Sequence, residues 1–342
     1  MKFKKLISLG SAVVVASSIL VGCGKTSEDG NKPKETIKVG MVADIGGVND
    51  ESFNQSAWEG LQRAKDELGI EIKLIESKQA SDYLTNLETM VENDMDLIIG
   101  VGYTMAEDIK TEANNYPEQQ FAIIDESYEE IPENVTPILF KENEAAYLTG
   151  LIAGKMTKTN QVGFLGGMDS AVVKRFEYGY KYGVNEANKD AEIKVQYAGT
   201  FGDAAKGKSI ANQIYNGGAD IILSAAGGTG LGSIESAKEQ NKFAIGVDMD
   251  QSKLAPDNVL TSALKKVDVG VYDTVKEFTE GNLKGGVNKV YGLEENGVGI
   301  PETTKKLVKQ DVLDYVNDQI EKVKSGDIKV PSTEKEYKEL QK

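Results

Sequence analysis

The sequence contains no histidine and only one cysteine, Cys23, in 342 residues. Histidine is the commonest general base near neutral pH, so its absence removes the usual centre of acid–base catalysis. No phosphate-binding loop, G-x-S-x-G nucleophile turn or metal-ligand cluster is present either. We therefore predict a protein that binds small molecules, with no cofactor, metal or catalytic residue. Carboxylate pairs are still available, so a hydrolase remains the alternative.

Basic side chains are also in deficit. The chain has 39 lysines and arginines against 54 aspartates and glutamates, which gives a formal net charge of −15. A surface of this sign repels the phosphates of nucleic acids and of anionic lipids. We expect no nucleic-acid partner, and the N-terminus offers no helix-turn-helix that would suit a transcription regulator with a DNA-binding headpiece.

The N-terminus has the pattern of an export signal. Residues 1–22 contain three lysines, an apolar stretch and small residues before Cys23, and their removal would lower the net charge to −18. The end of this segment resembles the lipobox of bacterial lipoproteins, in which the cysteine becomes the first mature residue and carries lipid. The alternative is a secretory signal followed by an incidental thiol. Residues 23–36 are polar and contain Gly and Pro, so they read as a flexible tether. We predict a protein anchored through Cys23 on the extracytoplasmic face of the cell membrane.

From residue 37 onward, strand and helix signals alternate in two successive series. Two such series predict an α/β protein with two doubly wound parallel sheets, one in each of two lobes. Strand signals that follow the second series suggest that the chain returns to the first lobe. We assign residues 37–140 and about 264–297 to lobe 1, and residues 141–263 and about 298–330 to lobe 2, joined by a multi-strand hinge.

The first strand-to-helix loop has the composition of a ligand site. An apolar strand, IKVGMVA, runs into a polar turn and then a helix for which Ser52 is the predicted N-cap. Asp44, Asn49 and Asp50 supply acceptors and Phe53 supplies a flat apolar face. No lysine or arginine lies between Lys38 and Arg63, which disfavours a phosphate-bearing ligand at this loop.

Five separate segments carry a family resemblance: DESFNQSAWEGL, KRFEYGYKYG, YAGTFGDAAKGK, FAIGVDMDQ and LTSALKKVDVGVYD. Together and in this order they resemble the basic membrane protein family of bacterial lipoproteins, the substrate-binding components of ABC importers. The resemblance implies the type I periplasmic-binding-protein fold, a purine nucleoside as ligand and a membrane permease as partner. We also expect a monomer.

The candidate ligand-binding residues follow the ends of predicted strands, where this fold places ligands. Aromatic rings would stack on a base, and carboxylates would accept hydrogen bonds from sugar hydroxyls. We predict Phe53 and Phe176 on the two faces of the base, Asp248 and Lys265 at the ribose, and Asp44 and Asp125 at polar edges. The full predicted set is Asp44, Asn49, Phe53, Asn54, Tyr103, Thr104, Asp125, Phe176, Gly228, Asp248 and Lys265.

Several alternatives stay open at this point. Phe201 rivals Phe176 as the second ring, Lys266 rivals Lys265, and Asp125 and Asp248 could instead cap following helices. The glycine turn at Gly228 and Gly230 lacks the third glycine of a dinucleotide fingerprint, because Ser233 stands there. A sugar, a flavin-like vitamin or an exported nucleoside hydrolase are the competing functions, and the residues do not choose between purine and pyrimidine.

Overall fold

The computed structural model describes residues 36–341. The predicted signal peptide, the lipid site at Cys23 and nearly all of the predicted tether therefore lie outside the described residues. In the described part, no helix is long and apolar enough to cross a membrane. The first series of elements is β1 (Lys38–Ala43), α1 (Phe53–Leu68), β2 (Glu71–Glu76), α2 (Tyr83–Glu92), β3 (Leu97–Val101), α3 (Ala106–Asn115), β4 (Gln120–Ile124) and β5 (Val135–Phe140).

The second series repeats this alternation, and a C-terminal part follows it. The repeat consists of α4 (Glu142–Met156), β6 (Gln161–Gly166), α5 (Ala171–Ala187), β7 (Glu192–Tyr197), α6 (Ala204–Asn216), β8 (Ile221–Ala225), α7 (Gly228–Gln240), β9 (Phe243–Asp248) and β10 (Val259–Lys265). The C-terminal part consists of α8 (Val267–Thr279), β11 (Lys289–Tyr291), β12 (Val298–Gly299), α9 (Gln310–Lys324) and α10 (Glu334–Leu340).

These strands form two six-stranded sheets with the same plan. Their orders are β11-β5-β4-β3-β1-β2 and β12-β10-β9-β8-β6-β7, and all of these neighbours pair in parallel except β12, which is antiparallel to β10. Central strands such as β3, with the sequence LIIGV, are buried throughout, while the edge strand β2 is mostly half-exposed. Helices cover both faces of such a sheet, which explains the continuous apolar runs. The predicted α/β fold with two parallel sheets is confirmed.

The chain passes between the sheets at three places. It leaves the first sheet after β5, returns after β10 and crosses again between β11 and β12. Helix α8 packs on α1, where the Asp268 N–H donates to Ser56 Oγ at 3.2 Å. We call the first sheet with its helices and α8 lobe 1, and the second sheet with its helices lobe 2. Three connections between two lobes are compatible with hinge bending.

Helix α4 is buried on all sides, as its apolar sequence indicates. Every residue from Glu142 to Gly154 is buried. It lies so close to α5 that a Cβ added at Gly183 would stand 2.1 Å from the Tyr147 carbonyl oxygen. Glycine is therefore required at Gly183 for the two backbones to approach. This tight helix pair carries Glu142 and Phe176 toward the cleft between the lobes.

Candidate functional site

The cleft between the two lobes contains a cavity of about 610 Å³, a volume that includes the open solvent at its entrance. Its wall is built from the carboxyl ends of strands in both sheets and from the loops that follow them. Ten of the eleven predicted site residues line it, and Asn49 is the exception because its side chain is exposed at the surface. The remaining lining residues are Gly46, Asp50, Gly102, Val172, Val173, Phe201, Ala225, Ala226, Gly227 and Val247.

Asp50, next to Asn49, organises the start of α1. Its carboxylate accepts from the backbone N–H groups of Ser52 at 3.0 Å, Asn54 at 2.9 Å and Gln55 at 3.1 Å. Ser52 stands at the N-cap position but its side chain does not cap the helix. The prediction that Ser52 caps α1 is therefore wrong, because a carboxylate two residues earlier satisfies the free N–H groups.

Ser52 has a different partner, on the other lobe. Its hydroxyl donates to the carboxylate of Asp248, which ends β9. The cap supplied by Asp50 leaves the hydroxyl free for this contact. The two lobes thus meet directly at the edge of the cavity.

Asn54 connects the two carboxylates of the first loop. Its Nδ2 donates to Asp44 Oδ1 at 2.8 Å and to Asp50 Oδ2 at 3.1 Å, and its Oδ1 accepts from the Asp44 N–H at 3.1 Å. Burial raises the pKa of the Asp44 carboxyl to about 6, against the hydrogen bonds from Gly46 and Asn54 that lower it. Asn54 therefore positions Asp44 in the cavity wall.

Lys265 is the one basic residue of the cavity wall among residues 36–341, and it is buried. Its ammonium pairs with Asp125 and lies 3.6 Å from Glu142, which in turn binds Arg175 at 2.7 Å. Burial alone would lower the pKa of Lys265, but the charges of Asp125, Glu142 and Asp248 outweigh it and raise the pKa. Lys265 therefore stays charged. The neighbouring Lys266 does not line the cavity, which separates the two lysines that the sequence left open.

Asp125 and Asp248 occupy equivalent places in the two sheets, directly after Ile124 of β4 and at the end of β9. Both have left-handed backbone conformations, with φ of 71° and 64°. Burial raises the pKa of Asp125, and it raises the pKa of Asp248 to about 6. No helix begins at either residue, and the 3-10 helix after β9 is capped by Asp250 instead. The interpretation of these aspartates as N-caps is therefore wrong.

Four aromatic rings of the described residues line the cavity, Phe53 and Tyr103 from lobe 1 and Phe176 and Phe201 from lobe 2. The Lys265 ammonium lies 4.5 Å from the centre of the Phe53 ring and 6.0 Å from that of Phe176. Phe201 lines the cavity as well, from the loop after β7. The cavity thus offers flat apolar faces on both lobes with one cation between two of them.

The sequence interpretation missed the charged residues that support this wall. Glu142 is completely buried, and Arg175 binds it with two nitrogens, at 2.7 Å and 3.3 Å. The signal available was a glutamate at the start of a helix whose middle part, AAYLTGLIAG, is mostly apolar, because a buried carboxylate needs a cationic partner.

A family model described as ABC transporter substrate-binding protein, PnrA-like, matches residues 37–334. The chain belongs to the Bmp family of PnrA-like substrate-binding proteins. This confirms the predicted family, and its members are binding components of transporters rather than enzymes.

Relatives of this PnrA-like protein match it over nearly their full length. A protein of Listeria innocua named CD4+ T-cell-stimulating antigen is 41% identical over 96% of this chain and 99% of its own. The ABC transporter nucleoside-binding protein BmpA of Lactococcus lactis is 37% identical over 91% of this chain and 97% of its own. Among solved structures, an ABC transporter solute-binding protein of Aeropyrum pernix is 30% identical, has a TM-score of 0.82 and covers 89% of this chain and 96% of its own.

Proposed function

We propose that this PnrA-like protein binds a nucleoside, with a purine base, in the interlobe cleft and delivers it to an ABC permease. We further propose that it acts on the extracytoplasmic face of the membrane, held there by lipid on Cys23. The observation that carries the ligand proposal is the combination of aromatic rings from both lobes with carboxylates around one cavity. A nucleoside has a flat base and a sugar with neighbouring hydroxyls, and it has no charge.

An unpartnered carboxylate oxygen supports a ligand that donates hydrogen bonds. Asp125 Oδ1 is buried and has no hydrogen-bond partner among the described residues. Leaving such an atom unpaired costs about 1–3 kcal/mol. A base N–H or a sugar O–H at this position would remove that cost. A ligand that only accepts hydrogen bonds would not.

The charge of the wall favours an uncharged ligand. In the described part of the chain, the lining includes the carboxylates of Asp44, Asp50, Asp125 and Asp248, and its one basic residue, Lys265, is already paired. A phosphate would face this excess of negative charge without a free cation to bind it. A nucleoside therefore fits better than a nucleotide.

The roles that we propose follow the side-chain chemistry. Phe53 stacks on the base, with Phe176 on the other face. Asp248 and Lys265 hold the ribose hydroxyls, while Asp44 and Asp125 take polar edges of the ligand. The name of the Lactococcus relative, a nucleoside-binding protein, supports the same class of ligand.

Mass spectrometry of ligand released from natively purified and then denatured protein tests the proposal. We expect a purine nucleoside, and calorimetry should show that guanosine, adenosine or inosine binds to the emptied protein. A sugar or a flavin in the released fraction would replace the nucleoside assignment. Release of free base from inosine during incubation would favour the hydrolase instead.

A further inference from the structure

Two contacts beside the cleft join the lobes through residues that do not themselves line the cavity. Gln251, in the short 3-10 helix after β9, donates from Nε2 to the backbone carbonyl of Glu51 in lobe 1 at 2.8 Å. The Lys253 ammonium pairs with the Glu51 carboxylate at 3.0 Å. None of these three residues lines the cavity. They therefore connect the lobes independently of the groups proposed to touch a ligand.

Gln251 is held in place by lobe 2 before it reaches the other lobe. Its side chain is 3% exposed, its Oε1 accepts from the Val247 N–H at 3.1 Å, and its own N–H donates to Ser262 Oγ at 3.1 Å. Because Oε1 already accepts from an N–H, only Nε2 is left to meet a carbonyl, and this decides the orientation of the amide. The donor is preorganised, so little rotamer freedom is lost when the lobes meet.

The acceptor is preorganised as well. Glu51 has a left-handed backbone conformation with φ of 50°, which is uncommon for a residue other than glycine. The loop after it is fixed by Asp50, which accepts from the Ser52 and Asn54 N–H groups. A loop in this conformation directs the Glu51 carbonyl toward lobe 2. Both partners are thus set within their own lobes.

We propose that the hydrogen bond from Gln251 to the Glu51 carbonyl is a latch that stabilises the closed arrangement of the lobes with or without ligand. The proposal goes beyond the proposed function and does not depend on which molecule the cleft binds. By raising the closed fraction of the ligand-free protein, the latch tightens binding of any ligand that prefers the closed state. The pair between Lys253 and Glu51 contributes little, because the lysine side chain is 63% exposed.

Small-angle X-ray scattering of protein freed of ligand tests the latch through the ratio of closed to open molecules. We expect a mixture in the wild type, and a ratio lowered about threefold to tenfold in Gln251→Ala, as expected for one hydrogen bond. Gln240→Ala is the matched control, because Gln240 donates only to Asn212 and Ser236 within lobe 2. This control should keep the wild-type ratio.

A second variant protects the test against loss of fold. Gln251→Glu keeps an acceptor for the Val247 N–H but removes the donor to Glu51, and it too should lower the ratio while circular dichroism shows a folded protein. The proposal is overturned if ligand-free wild type is entirely open, if both folded Gln251 variants keep the wild-type ratio, or if Gln240→Ala lowers it equally. None of these readouts involves a nucleoside, so a failure of the latch is distinct from a failure of the proposed function.

Discussion

At the scale of single residues, the site is defined by carboxylates that are buried away from the water that would normally solvate them. Asp44 and Asp248 are buried, and their pKa values rise to about 6. Perturbed groups of this kind gather at functional sites, because a site holds polar groups ready for a ligand at the expense of stability. In this cleft, hydrogen-bond donors of a ligand would replace the hydrogen bonds with water that the carboxylates lost on burial.

The sugar contact of Asp248 can be separated from stacking by Phe53. Asp248→Ala should weaken the binding of a ribonucleoside by about 1.5–3 kcal/mol. It should weaken the binding of a 2′,3′-dideoxynucleoside far less, because the lost hydrogen bond is to a sugar hydroxyl. Phe53→Ala should cost both ligands about the same, about 1–3 kcal/mol. Calorimetry of both variants with both ligands closes the cycle. An equal loss for the two ligands in Asp248→Ala would contradict the ribose assignment.

Binding should weaken as the pH falls through 6. In the empty site Asp44 and Asp248 become protonated near pH 6, and a neutral carboxyl is a poorer acceptor than a carboxylate. For each group that must ionise, the dissociation constant should rise about tenfold between pH 7 and pH 5. Calorimetry with inosine at these two values checks this. Asp248→Asn should flatten the dependence, and a constant affinity in the wild type would show that neither carboxylate has to be charged.

The same raised pKa values have the opposite effect on the stability of the fold, which increases as the pH falls. The folded protein binds these protons more tightly than the unfolded chain, in which the carboxyl pKa is the ordinary 3.8. The stability that the two groups contribute is therefore fully present below about pH 4 and is lost as the pH rises through 6. The empty site therefore contributes least to the stability of the fold above pH 6, where we expect ligand binding to be tightest.

At the scale of elements, the pair α4 and α5 forms the platform of lobe 2. Their backbones are in contact at Gly150, Gly179 and Gly183, where an added Cβ would stand within 2.3 Å of a carbonyl oxygen of the other helix. Glu142 and Phe176 are fixed on this platform and face the cleft side of lobe 2. Rigid helices hold site residues more precisely than loops do.

Gly183→Ala should destabilise the protein although alanine favours helices. The new methyl group would force α4 and α5 apart, and overpacking of this kind costs about 1–3 kcal/mol or more. Gly230→Ala in α7 is the control, because its nearest neighbour would lie at an ordinary 3.4 Å. Thermal unfolding should show a lower midpoint for Gly183→Ala and an equal or higher one for Gly230→Ala. Equal midpoints for wild type and Gly183→Ala would mean that the helix pair yields easily.

At the scale of the whole molecule, two lobes built on one plan meet over a cavity. The equivalent aspartates after β4 and at the end of β9 both line it, and Lys265 lies next to the return of the chain to lobe 1. Lys265 pairs with Asp125 of the other lobe. The ion pair between Lys265 and Asp125 therefore joins the lobes in addition to the contact between Gln251 and Glu51.

The proposed membrane localisation of the protein is tested by substitution of Cys23. Cys23→Ala should release the mature protein into the medium or periplasm, because lipid on this cysteine is the proposed anchor. Fractionation followed by immunoblotting measures the distribution, with Asp248→Ala as a control that keeps the cysteine and should stay with the membrane. Retention of Cys23→Ala in salt-washed membranes would rule out the lipid anchor.

The sequence by itself determined the two βα series, the α/β fold and the family, because strand and helix periods are local and the five family segments lie along the chain. It also placed Asp44, Asp125, Asp248 and Gly228 at the cavity, since parallel strands carry their following loops to one edge. Only the tertiary structure decided between Lys265 and Lys266, excluded Asn49 from the wall and exchanged Ser52 for Asp50 as the cap. The ion pairs of Glu142 and the bond from Ser52 to Asp248 join residues that are far apart in the sequence. The ion pairs depend on how helices and strands pack within lobe 2, and the bond from Ser52 depends on how the two lobes meet. No local pattern in the sequence encodes either arrangement.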